Sequence, residues 1–562
     1  MLLLMLVAGP AQAQPSDAIL VDVDNTSGTQ DGTAWSTAYP DLQAALDDAS
    51  SSNEIWVAEG TYTPDPGGTD RTKSFNFSGD KNGLAIYGGF GGTESSRSAR
   101  DPGAHPTILS GDIDGDDVLS GNSYHVLWLD GKSGTGITAS TVIDGVVITA
   151  GHASGTGLNE DDGGGLYCNG SGGGKCNPTF RNVVFRGNKA GFGGALFSNG
   201  SNSGGESSPQ LENVVFVGNE ATDLGGGVYN DGANDGTSSP TVTNATFAGN
   251  VAGTKGGALY NDGSSSGTAG PTIENTILWG NEATGSGDEI SDDNASSTLD
   301  HSLIEGACPS TCLDTKTNSN PRFEYAARPA GNDGVFGTDD DGLHVIEDSP
   351  ALDAGDDELI SESRDLTGAD RTQNGTVDIG AYEGAKTDQA RTIYVDAAAS
   401  GAGDGTSWAD ADPTLWAGPA GKGALTYATG NDEIWIAEGT YVPDPNLSDG
   451  VDAATSFRIP GWKDGVKLYG GFQAGDGFDQ RDPEAHPTIL SGDIENDDKQ
   501  FAPDADSDND STTPTQTDHI KGTNSYQVFV LDGTTDGTIT PSTVIDGVTV
   551  TAGYTGGAPS PQ

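Results

Sequence analysis

Basic residues are scarce in this sequence. It has 25 lysines and arginines against 83 aspartates and glutamates, which gives a formal net charge of −58. Such a charge repels nucleic acid and anionic lipid, so we expect no sequence-independent binding to either. It favours cations as partners. Because salt screens the self-repulsion of so acidic a chain, it also indicates a halophilic protein whose fold loosens at low salt.

Long apolar runs are also lacking. After the first residues, no stretch approaches the roughly 18 consecutive apolar residues that a membrane-spanning helix needs, so we expect none. Aromatic residues make up only 7% of the chain and glycine contributes 86 residues, a composition that can indicate disorder. The glycines, however, recur at fixed intervals with Val, Ile, Leu and Tyr between them, which indicates folded turns.

The chain begins with a short apolar segment, MLLLMLVAGPAQAQ. Ala11 and Ala13 have the spacing that a signal peptidase recognises, so we predict a signal peptide over residues 1–13, cleaved after Ala13. The basic residues that usually precede the apolar run are missing, and a buried N-terminal strand is the alternative. Export would place the protein outside the cell or on the outer-membrane surface.

Cysteine is rare. The four cysteines form two local pairs, Cys168 with Cys176 and Cys308 with Cys312, and the C-x-x-C spacing of a metal site is absent. In an exported protein such pairs predict two short loops closed by disulfides. Free or buried reduced thiols are the alternative.

The middle of the chain repeats every 31 residues. The segments PTFRNVVFRGN, PQLENVVFVGN, PTVTNATFAGN and PTIENTILWGN begin at Pro178, Pro209, Pro240 and Pro271. A second segment type, such as GGGLY at 163–167 and GGALY at 256–260, alternates with them. A fixed period of this length indicates a solenoid, and short β-type runs without helical apolar spacing indicate that it is built of strands. Propeller repeats are longer, about 40 to 45 residues.

The repeated residues predict an all-β fold, a right-handed parallel β-helix with continuous columns of side chains. The columns are Phe185, Phe216 and Phe247 with Leu278, and Asn188, Asn219, Asn250 and Asn281. Windings that stack about 4.8 Å apart would place the phenylalanines in an interior file. The asparagines would occupy a corner in left-handed backbone and hydrogen-bond to one another as a ladder. Paired glycines such as Gly193-Gly194 would let the chain turn sharply and approach the next winding closely.

The alternation of GGA(I/L)-type and FxGN-type segments resembles the repeats of chlamydial polymorphic outer-membrane proteins and of the wider pectin-lyase-like superfamily. The resemblance covers residues 163–290. It implies a right-handed β-helix exported to the cell surface, with adhesion as the typical role of the polymorphic proteins.

A larger unit is duplicated in tandem. EIWVAEGTYTPDP at 54–66 returns as EIWIAEGTYVPDP at 433–445, about 380 residues further on, and AHPTILSGDI and STVIDGV return in the same order. We predict a first β-helix unit at 18–385, with an N-terminal cap and first coils at 18–162, the repeats at 163–290 and a closing part at 291–385, and a second, truncated unit at 391–562. A short helix from Asp41 to Ala49 would cap the first coil, because an open coil end exposes a sheet edge.

The first unit ends on SPALDAGD at 349–356 and on VDIGAYEG, which finishes at Gly384. These runs resemble the end segment of bacterial surface proteins that have a choice of C-terminal anchor. The second unit has neither these runs nor the 31-residue repeats. We therefore interpret the chain as a fragment of a longer gene product whose anchor lies beyond Gln562.

Two acidic loops predict calcium sites. The loop GDIDGDD carries Asp112, Asp114 and Asp116, and the loop GNDGVFGTDDDG carries Asp333, Asp339 and Asp341. Carboxylates on alternate or adjacent turn residues around glycine are typical of hard-cation sites, although neither loop completes the EF-hand pattern. A third acidic run, DADSDND, lies at 504–510. The alternative is that these acids are solvated turn residues that maintain solubility.

An enzyme is the alternative to a structural protein. Inverting glycosidases need two carboxylates about 6.5 to 9.5 Å apart, and lyases need a base such as arginine beside calcium. No motif of either class is present. The candidate group, with Asp161 and Asp162 as its catalytic acids, is His152, Glu160, Asp161 and Asp162, with Arg181 and Arg186 as nearby cations.

The regular columns, the tandem duplication and the export signal favour a secreted or cell-surface protein with a structural, adhesive or glycan-binding role. A polysaccharide lyase or glycoside hydrolase acting on acidic polysaccharide is the second hypothesis. It rests on fold analogy alone, and an acidic protein repels polyuronates unless calcium bridges the two.

Overall fold

The computed structural model describes residues 18–360, 362–373, 375–415, 423–443, 455–494, 524–533 and 538–552. The predicted signal peptide and the acidic run at 504–510 lie outside these residues. The chain divides into two compact units, one formed by residues 1–321 with 329–385 and the other by residues 322–328 with 386–562.

The first unit is a parallel β-helix built from three sheets. The first sheet contains the strands Ala18–Val21, Glu54–Ala58, Gly60–Tyr62, Ala85–Phe90, Thr107–Ser110, Val142–Asp144, Val147–Thr149, Thr179–Arg186, Gln210–Val217, Thr241–Thr243, Thr246–Ala248, Thr272–Glu274, Ile277–Trp279, Thr298–Asp300, Leu303–Ile304, Thr311–Leu313 and Lys316–Thr317. The second contains Phe75–Ser78, Leu127–Asp130, Leu166–Asn169, Leu196–Asn199, Val228–Asp231, Leu259–Asp262 and Ile290–Asp293. The third contains Lys189–Phe192, Glu220–Leu224, Val251–Ala252 and Glu282–Ala283.

The strand register shows how the windings stack. In the first sheet Phe185 pairs with Phe216 and Phe216 with Phe247, each 31 residues further along the chain, and the strands are parallel. The second and third sheets follow the same step, since Tyr229 pairs with Tyr260 and Glu220 with Val251. Each 31-residue winding therefore contributes a pass to every sheet, as the repeat predicts. A right-handed winding is the sense of nearly all parallel crossover connections.

The phenylalanine column lies inside the solenoid. The ring of Phe216 stacks on those of Phe185 and Phe247, with centroid distances of 4.9 and 4.5 Å and interplanar angles of 2° and 9°. Leu278 continues the column in register with Phe247. One apolar core runs from Val21 to Ile304, and the phenylalanine column is part of it.

The predicted hydrogen bonds of the asparagine ladder are present. Asn188 Nδ2 donates to Asn219 Oδ1 at 3.1 Å, Asn219 to Asn250 at 2.9 Å and Asn250 to Asn281 at 2.7 Å. Each Oδ1 also accepts the backbone N–H of the preceding asparagine in the ladder. Buried amides thus satisfy one another along the corner, which avoids the cost of unpaired polar groups.

The prediction that the ladder asparagines have left-handed backbone is wrong. The left-handed conformation falls on the glycine before each ladder asparagine, for example Gly187 with φ 58°. A different asparagine file also takes left-handed backbone, with φ between 46° and 54°, and it consists of Asn182, Asn213, Asn244 and Asn275. The residue without a Cβ takes the left-handed turn, which leaves the ladder amide free to reach the next winding.

The glycine pairs serve two different purposes. Gly193 has φ 62°, which side chains rarely tolerate. A Cβ on Gly194 would lie 2.3 Å from the carbonyl oxygen of Gly226 in the next winding. One glycine of the pair therefore allows the turn and the other allows the close approach of neighbouring coils.

Glu289 ends the ladder. Because Ile290 pairs with Leu259 in the strand register, Glu289 occupies the position that Ala258 holds one winding earlier. Its carboxyl oxygens accept the side-chain and backbone N–H of Asn281 at 2.6 and 3.3 Å. Complete burial raises the pKa of Glu289 well above its usual range, so an acid group replaces the missing fifth asparagine.

The capping helix is present at Leu42–Asp48. Asp41 is its N-cap and accepts the backbone N–H of Gln43 at 2.8 Å. Leu42, Ala45 and Leu46 are buried against the first coil. Lys81 Nζ donates to backbone carbonyls at the end of the helix, including that of Ala49 at 2.8 Å. Two charged side chains therefore satisfy the helix ends.

The end of the first unit returns along the side of the solenoid. We call residues 349–384 the closing run. Within it, Gly380 N–H donates to the carbonyl of Asn275 at 2.8 Å and Ala381 N–H to Thr246 Oγ1 at 3.1 Å. The carbonyl of Arg364 accepts Asn213 Nδ2 at 2.6 Å. The closing run therefore covers the left-handed asparagine file across several windings.

The second unit repeats the strand order of the first coils. Its three sheets contain the strands Thr392–Val395, Glu433–Ala437, Lys467–Phe472 and Val544–Asp546; Gly439–Tyr441, Thr488–Ser491 and Val548–Thr551; and Phe457–Pro460 and Phe529–Asp532. A short helix, Ala424–Tyr427, lies between the first two of these strands in the chain, Thr392–Val395 and Glu433–Ala437. Across the described parts of both units the 3-10 helices are Trp35–Thr37, Gly79–Lys81, Arg97–Ala99, Leu119–Gly121, Asp357–Leu359, Gly461–Lys463 and Phe478–Gln480.

Both cysteine pairs are disulfide-bonded. Cys168–Cys176 is fully buried, and Cys308–Cys312 closes a loop in the last windings. On the next winding, Ser198 and Ser207 replace the first pair with a hydroxyl hydrogen bond of 2.8 Å. In the residues that the structure describes, none of the helices has the length and apolarity required to cross a membrane.

Candidate functional site

The predicted calcium loop at Asp112 brings its carboxylates together. One oxygen from each of Asp112, Asp114 and Asp116 lies within 4.8 Å of the others. Asp112 also accepts the backbone N–H of Gly115 at 2.9 Å, which shapes the loop. The pKa of Asp114 is raised, first by partial desolvation and then by the charge of Asp116. Such mutual repulsion is what a bound cation would relieve.

The second predicted calcium loop does not form a comparable cluster among the described residues. Asp341 is buried and accepts the hydroxyl of Tyr382 at 2.9 Å and the N–H of Gly337 at 2.8 Å. Burial raises its pKa to about 7. Asp333 accepts the N–H of Val335 at 2.7 Å, and Asp339 does not join either in a cation cluster. The turn directs the carboxylates of Asp333 and Asp341 to backbone donors and to the interior. Calcium binding by this loop stays a prediction.

Two members of the predicted catalytic group around Asp161 and Asp162 are engaged by the backbone. His152 Nδ1 contacts the carbonyl of Leu119, 33 residues earlier in the chain, at 2.7 Å. Glu160 accepts the N–H of Gly157 in its own loop at 2.8 Å. Asp162 lies in a bridge with Phe192, and burial followed by the charge of Asp161 raises its pKa to about 7.

The two cations expected beside this group lie elsewhere. The guanidinium of Arg186 is 5.7 Å from the ring of Phe336, and Arg181 pairs with Glu212 at 2.6 Å on the first sheet. Side chains close in sequence therefore diverge here, because successive residues belong to different faces of the solenoid.

A cleft on the outer face of the first sheet brings together arginines that are far apart in sequence. We call it the arginine cleft. It encloses about 570 Å³ and is lined by Glu54, Tyr87, Ser96, Arg97, Ser98, Arg100, Asp144, Arg181 and Glu362. Three of the 25 basic residues of this acidic chain meet at one place.

Strand register builds the floor of the arginine cleft. Tyr87 pairs with Asp144, and Asp144 with Arg181, so these side chains stand on one face of three neighbouring strands. Arg97 and Arg100 come from the short helix Arg97–Ala99 and the residue after it. Their guanidinium carbons lie 4.6 and 5.4 Å from the centre of the Tyr87 ring, a cation–π arrangement.

Each arginine of the cleft is paired with carboxylate. Arg97 lies 2.7 Å from Glu54, and Arg100 lies 2.7 Å from Asp144. Arg181 lies 2.6 Å from Glu212 and 3.1 Å from Glu362, which the closing run supplies. The cleft is therefore lined by polar groups with balanced charge, in contrast to the rest of the chain.

The second unit shows which part of the cleft is structural. There Arg481 lies 2.8 Å from Asp546 and 5.4 Å from the ring of Tyr469, as Arg100 does with Asp144 and Tyr87. At the place of Arg97 the second unit has Phe478, which packs edge-on against Tyr469 at 5.0 Å. The pair of Arg100 with Asp144 thus recurs with the fold, and Arg97 belongs to the first unit alone.

Sequence reasoning missed this site. Arg181 is one of the predicted cations, but Glu54 and Glu362 lie more than 100 residues from it on either side. A local signal exists in RSAR at 97–100, two arginines three residues apart in a chain poor in basic residues.

The family comparison matches one repeat of the solenoid. The model of the Chlamydia polymorphic membrane protein repeat matches residues 244–262. The match begins at Asn244 of the left-handed file and ends at Asp262 of the second sheet, so it spans an FxGN segment and the GGALY segment that follows.

Solved structures give weaker similarities. A pectate lyase, Pel9A, is 14% identical, with 66% of this chain and 98% of that chain covered and a TM-score of 0.33. The Escherichia coli protein YbhC is 13% identical, with 55% and 77% covered and a TM-score of 0.30. No curated protein sequence matches the chain.

Proposed function

We propose that this protein is a surface β-helix module that binds neutral glycan chains in the arginine cleft. The observation that carries the proposal is the pairing of three arginines with carboxylates in one polar cleft. Paired guanidinium and carboxylate groups offer donors and acceptors side by side, which suits sugar hydroxyls. An anionic glycan would meet no unpaired cation there and would be repelled by the chain as a whole.

The repeat match supports the location in this proposal. The matched repeat is named for membrane proteins of Chlamydia. A long, rigid solenoid can also hold a binding cleft at a distance from a cell surface. A surface or outer-membrane protein with an adhesive role is consistent with both features.

The chemistry of Arg181 argues against a lyase. A lyase that uses arginine as its base needs the guanidinium to give up a proton. Burial alone would lower the pKa of Arg181, but the hydrogen bond and charge of Glu212, with the charge of Glu362, raise it above its ordinary value. Arg181 therefore remains a cation, fit for binding and unfit as a base.

Glycan binding can be tested with a substitution that the chain itself suggests. Because the second unit has phenylalanine at the place of Arg97, Arg97→Phe should preserve the fold and remove one charged donor from the cleft. We expect a glycan array with the full chain to show binding of neutral oligosaccharides, and titration calorimetry to show at least tenfold weaker binding for Arg97→Phe.

Arg364→Ala is the matched control, since the Arg364 side chain is 65% exposed and lies outside the cleft. Equal affinity of wild type and Arg97→Phe would refute the proposed site. Release of reducing ends or unsaturated products from a bound glycan would replace the binding role with an enzymatic one.

We also propose that the loop at Asp112, Asp114 and Asp116 binds Ca²⁺. One oxygen from each of the three carboxylates lies within 4.8 Å of the others, and Ca²⁺ prefers such all-oxygen sites. Asp114→Asn should abolish one saturable site in a Ca²⁺ titration and leave the circular dichroism spectrum unchanged. Asp333→Asn, in the loop whose carboxylates do not converge, is the control and should retain the site. Failure of the wild type to bind Ca²⁺ at millimolar concentration would disprove this proposal.

A further inference from the structure

A second side-chain cluster lies in the last windings of the first unit. The left-handed file of Asn182, Asn213, Asn244 and Asn275 continues on the next two windings with His301 and Asp314, each with φ 43°. Asp300 and Leu313 are register partners, so His301 and Asp314 follow them as neighbours on adjacent windings. The His301 N–H donates to the carbonyl of Leu313 at 3.1 Å, which fixes this neighbourhood.

The ligand atoms of this cluster converge. One carboxylate oxygen each of Asp300 and Asp314 and one imidazole nitrogen of His301 all lie within 4.8 Å of one another. Asp300 Oδ1 is 2.8 Å from His301 Nδ1, and Asp356 Oδ2 is 4.0 Å from the same nitrogen. Three carboxylates therefore surround one imidazole.

Asp356 is held in place from the closing run. Its backbone N–H donates to Asn275 Oδ1 at 2.8 Å, and its carbonyl accepts Asn275 Nδ2 at 3.0 Å. The last member of the asparagine file thus anchors the segment that carries the fourth side chain. The cluster draws on three separate stretches of chain that only the fold brings together.

The cluster carries excess negative charge. Within the described chain, no lysine or arginine lies within 4.0 Å of the carboxylates of Asp300, Asp314 or Asp356, and His301 is the basic group that contacts Asp300 and Asp356. Glu274 is the register partner of Asp300 on the preceding winding and adds a further carboxylate beside the cluster. A bound cation would offset this repulsion.

We propose that Asp300, His301 and Asp314 bind one divalent transition-metal ion of the Zn²⁺ type, with Asp356 as a further ligand. Imidazole nitrogen together with carboxylate oxygen suits Zn²⁺ and similar ions, whereas Ca²⁺ takes oxygen ligands alone. The ion would tie the last windings to the closing run and would hold Asp356 against the solenoid. It is a different site from the calcium loop at Asp112, which has no histidine.

The test uses a substitution for which the fold is already adapted. Asparagine occupies the position of His301 in four other windings with the same left-handed backbone, so His301→Asn should fold normally and lose the imidazole ligand. We expect titration calorimetry of the full chain with Zn²⁺ to show a site that His301→Asn weakens at least tenfold. We expect Co²⁺ to give a visible d–d absorption band in the wild type and not in His301→Asn.

A second readout separates a metal tie from incidental binding. Zn²⁺ should slow proteolytic cleavage of residues 349–384 in the wild type and have no effect in His301→Asn. Asp114→Asn is the matched control and should bind Zn²⁺ as the wild type does. Equal Zn²⁺ affinity in wild type and His301→Asn, or a normal Co²⁺ band in the variant, would overturn the proposal.

Discussion

Replacement of Phe216 by alanine is expected to lower the free energy of unfolding of the first unit by about 3 to 5 kcal/mol. The Phe216 side chain is fully buried, and its ring lies between two parallel rings at 4.9 and 4.5 Å. Alanine would leave a cavity that the hydrogen-bonded strands on either side prevent from closing. It would also remove two stacking contacts, each worth about 0.5 to 1.5 kcal/mol beyond the buried area.

Phe216→Leu is the matched control, because Leu278 already holds this position in the fourth winding. We expect leucine to cost about 1 kcal/mol, since it keeps most of the apolar volume. Urea denaturation followed by circular dichroism measures both variants through the shift of the midpoint.

The loss should also be local at first. In a solenoid each winding contacts mainly its neighbours, so hydrogen exchange should speed up in residues 179–186 and 241–248 before the first coils are affected. An alanine variant with the wild-type midpoint would contradict the stacked interior.

Replacement of Arg371 by alanine is expected to release the closing run from the solenoid, at a cost of about 3 to 5 kcal/mol. The Arg371 side chain is 1% exposed. It donates to the carbonyls of Gly380 and Ala381 at 3.0 Å each and to Asn213 Oδ1 in the body of the solenoid. Without Arg371 these three acceptors lose a donor in a buried place.

The carboxyl groups around Arg371 add to the cost. Burial, together with the charge of Asp378, raises the pKa of Glu383 to about 8, and Arg371 at 3.8 Å opposes that shift. Removal of the guanidinium would leave Asp365, Asp378 and Glu383 without their buried cation. The acids would then draw water into the interface and weaken it.

Limited proteolysis and hydrogen exchange of residues 349–384 measure the release directly. Arg364→Ala is the control within the same run, because the Arg364 side chain is exposed, lies 3.6 Å from Asp370 and should contribute less than about 1 kcal/mol. Its backbone carbonyl, which accepts Asn213 Nδ2, is unchanged by the substitution. A closing run that stays protected in Arg371→Ala would refute the role assigned to the buried cation.

The 31-residue spacing was sufficient to predict the columns and the ladder. Stacked parallel windings place equal positions above one another, so a period in sequence becomes a file in space. The spacing could not say which residue turns left-handed. The ladder amide of Asn188 bonds to Asn219 while the turn itself falls on Gly187, a division of roles that depends on backbone geometry.

The acidic loops show where local pattern fails. Both loops have carboxylates around glycine, yet Asp112, Asp114 and Asp116 converge while Asp341 turns inward to Tyr382. Tyr382 belongs to the closing run, 41 residues further along the chain. The sequence of the loop contains nothing that predicts a hydrogen-bond partner so far along the chain.

The sequence by itself determined the repeating body of this protein: its period, its parallel strands, the residues of its interior files and the short helix at its first coil. These features arise from interactions between equivalent positions of neighbouring windings. Residues at equivalent positions are separated by one repeat length, so the sequence shows which residues will be neighbours. Only the tertiary structure decided the arginine cleft, the cluster around His301 and the return of the closing run. Each of these features brings together residues that are not related by the repeat spacing. Their proximity depends on how a non-repeating segment packs against the solenoid.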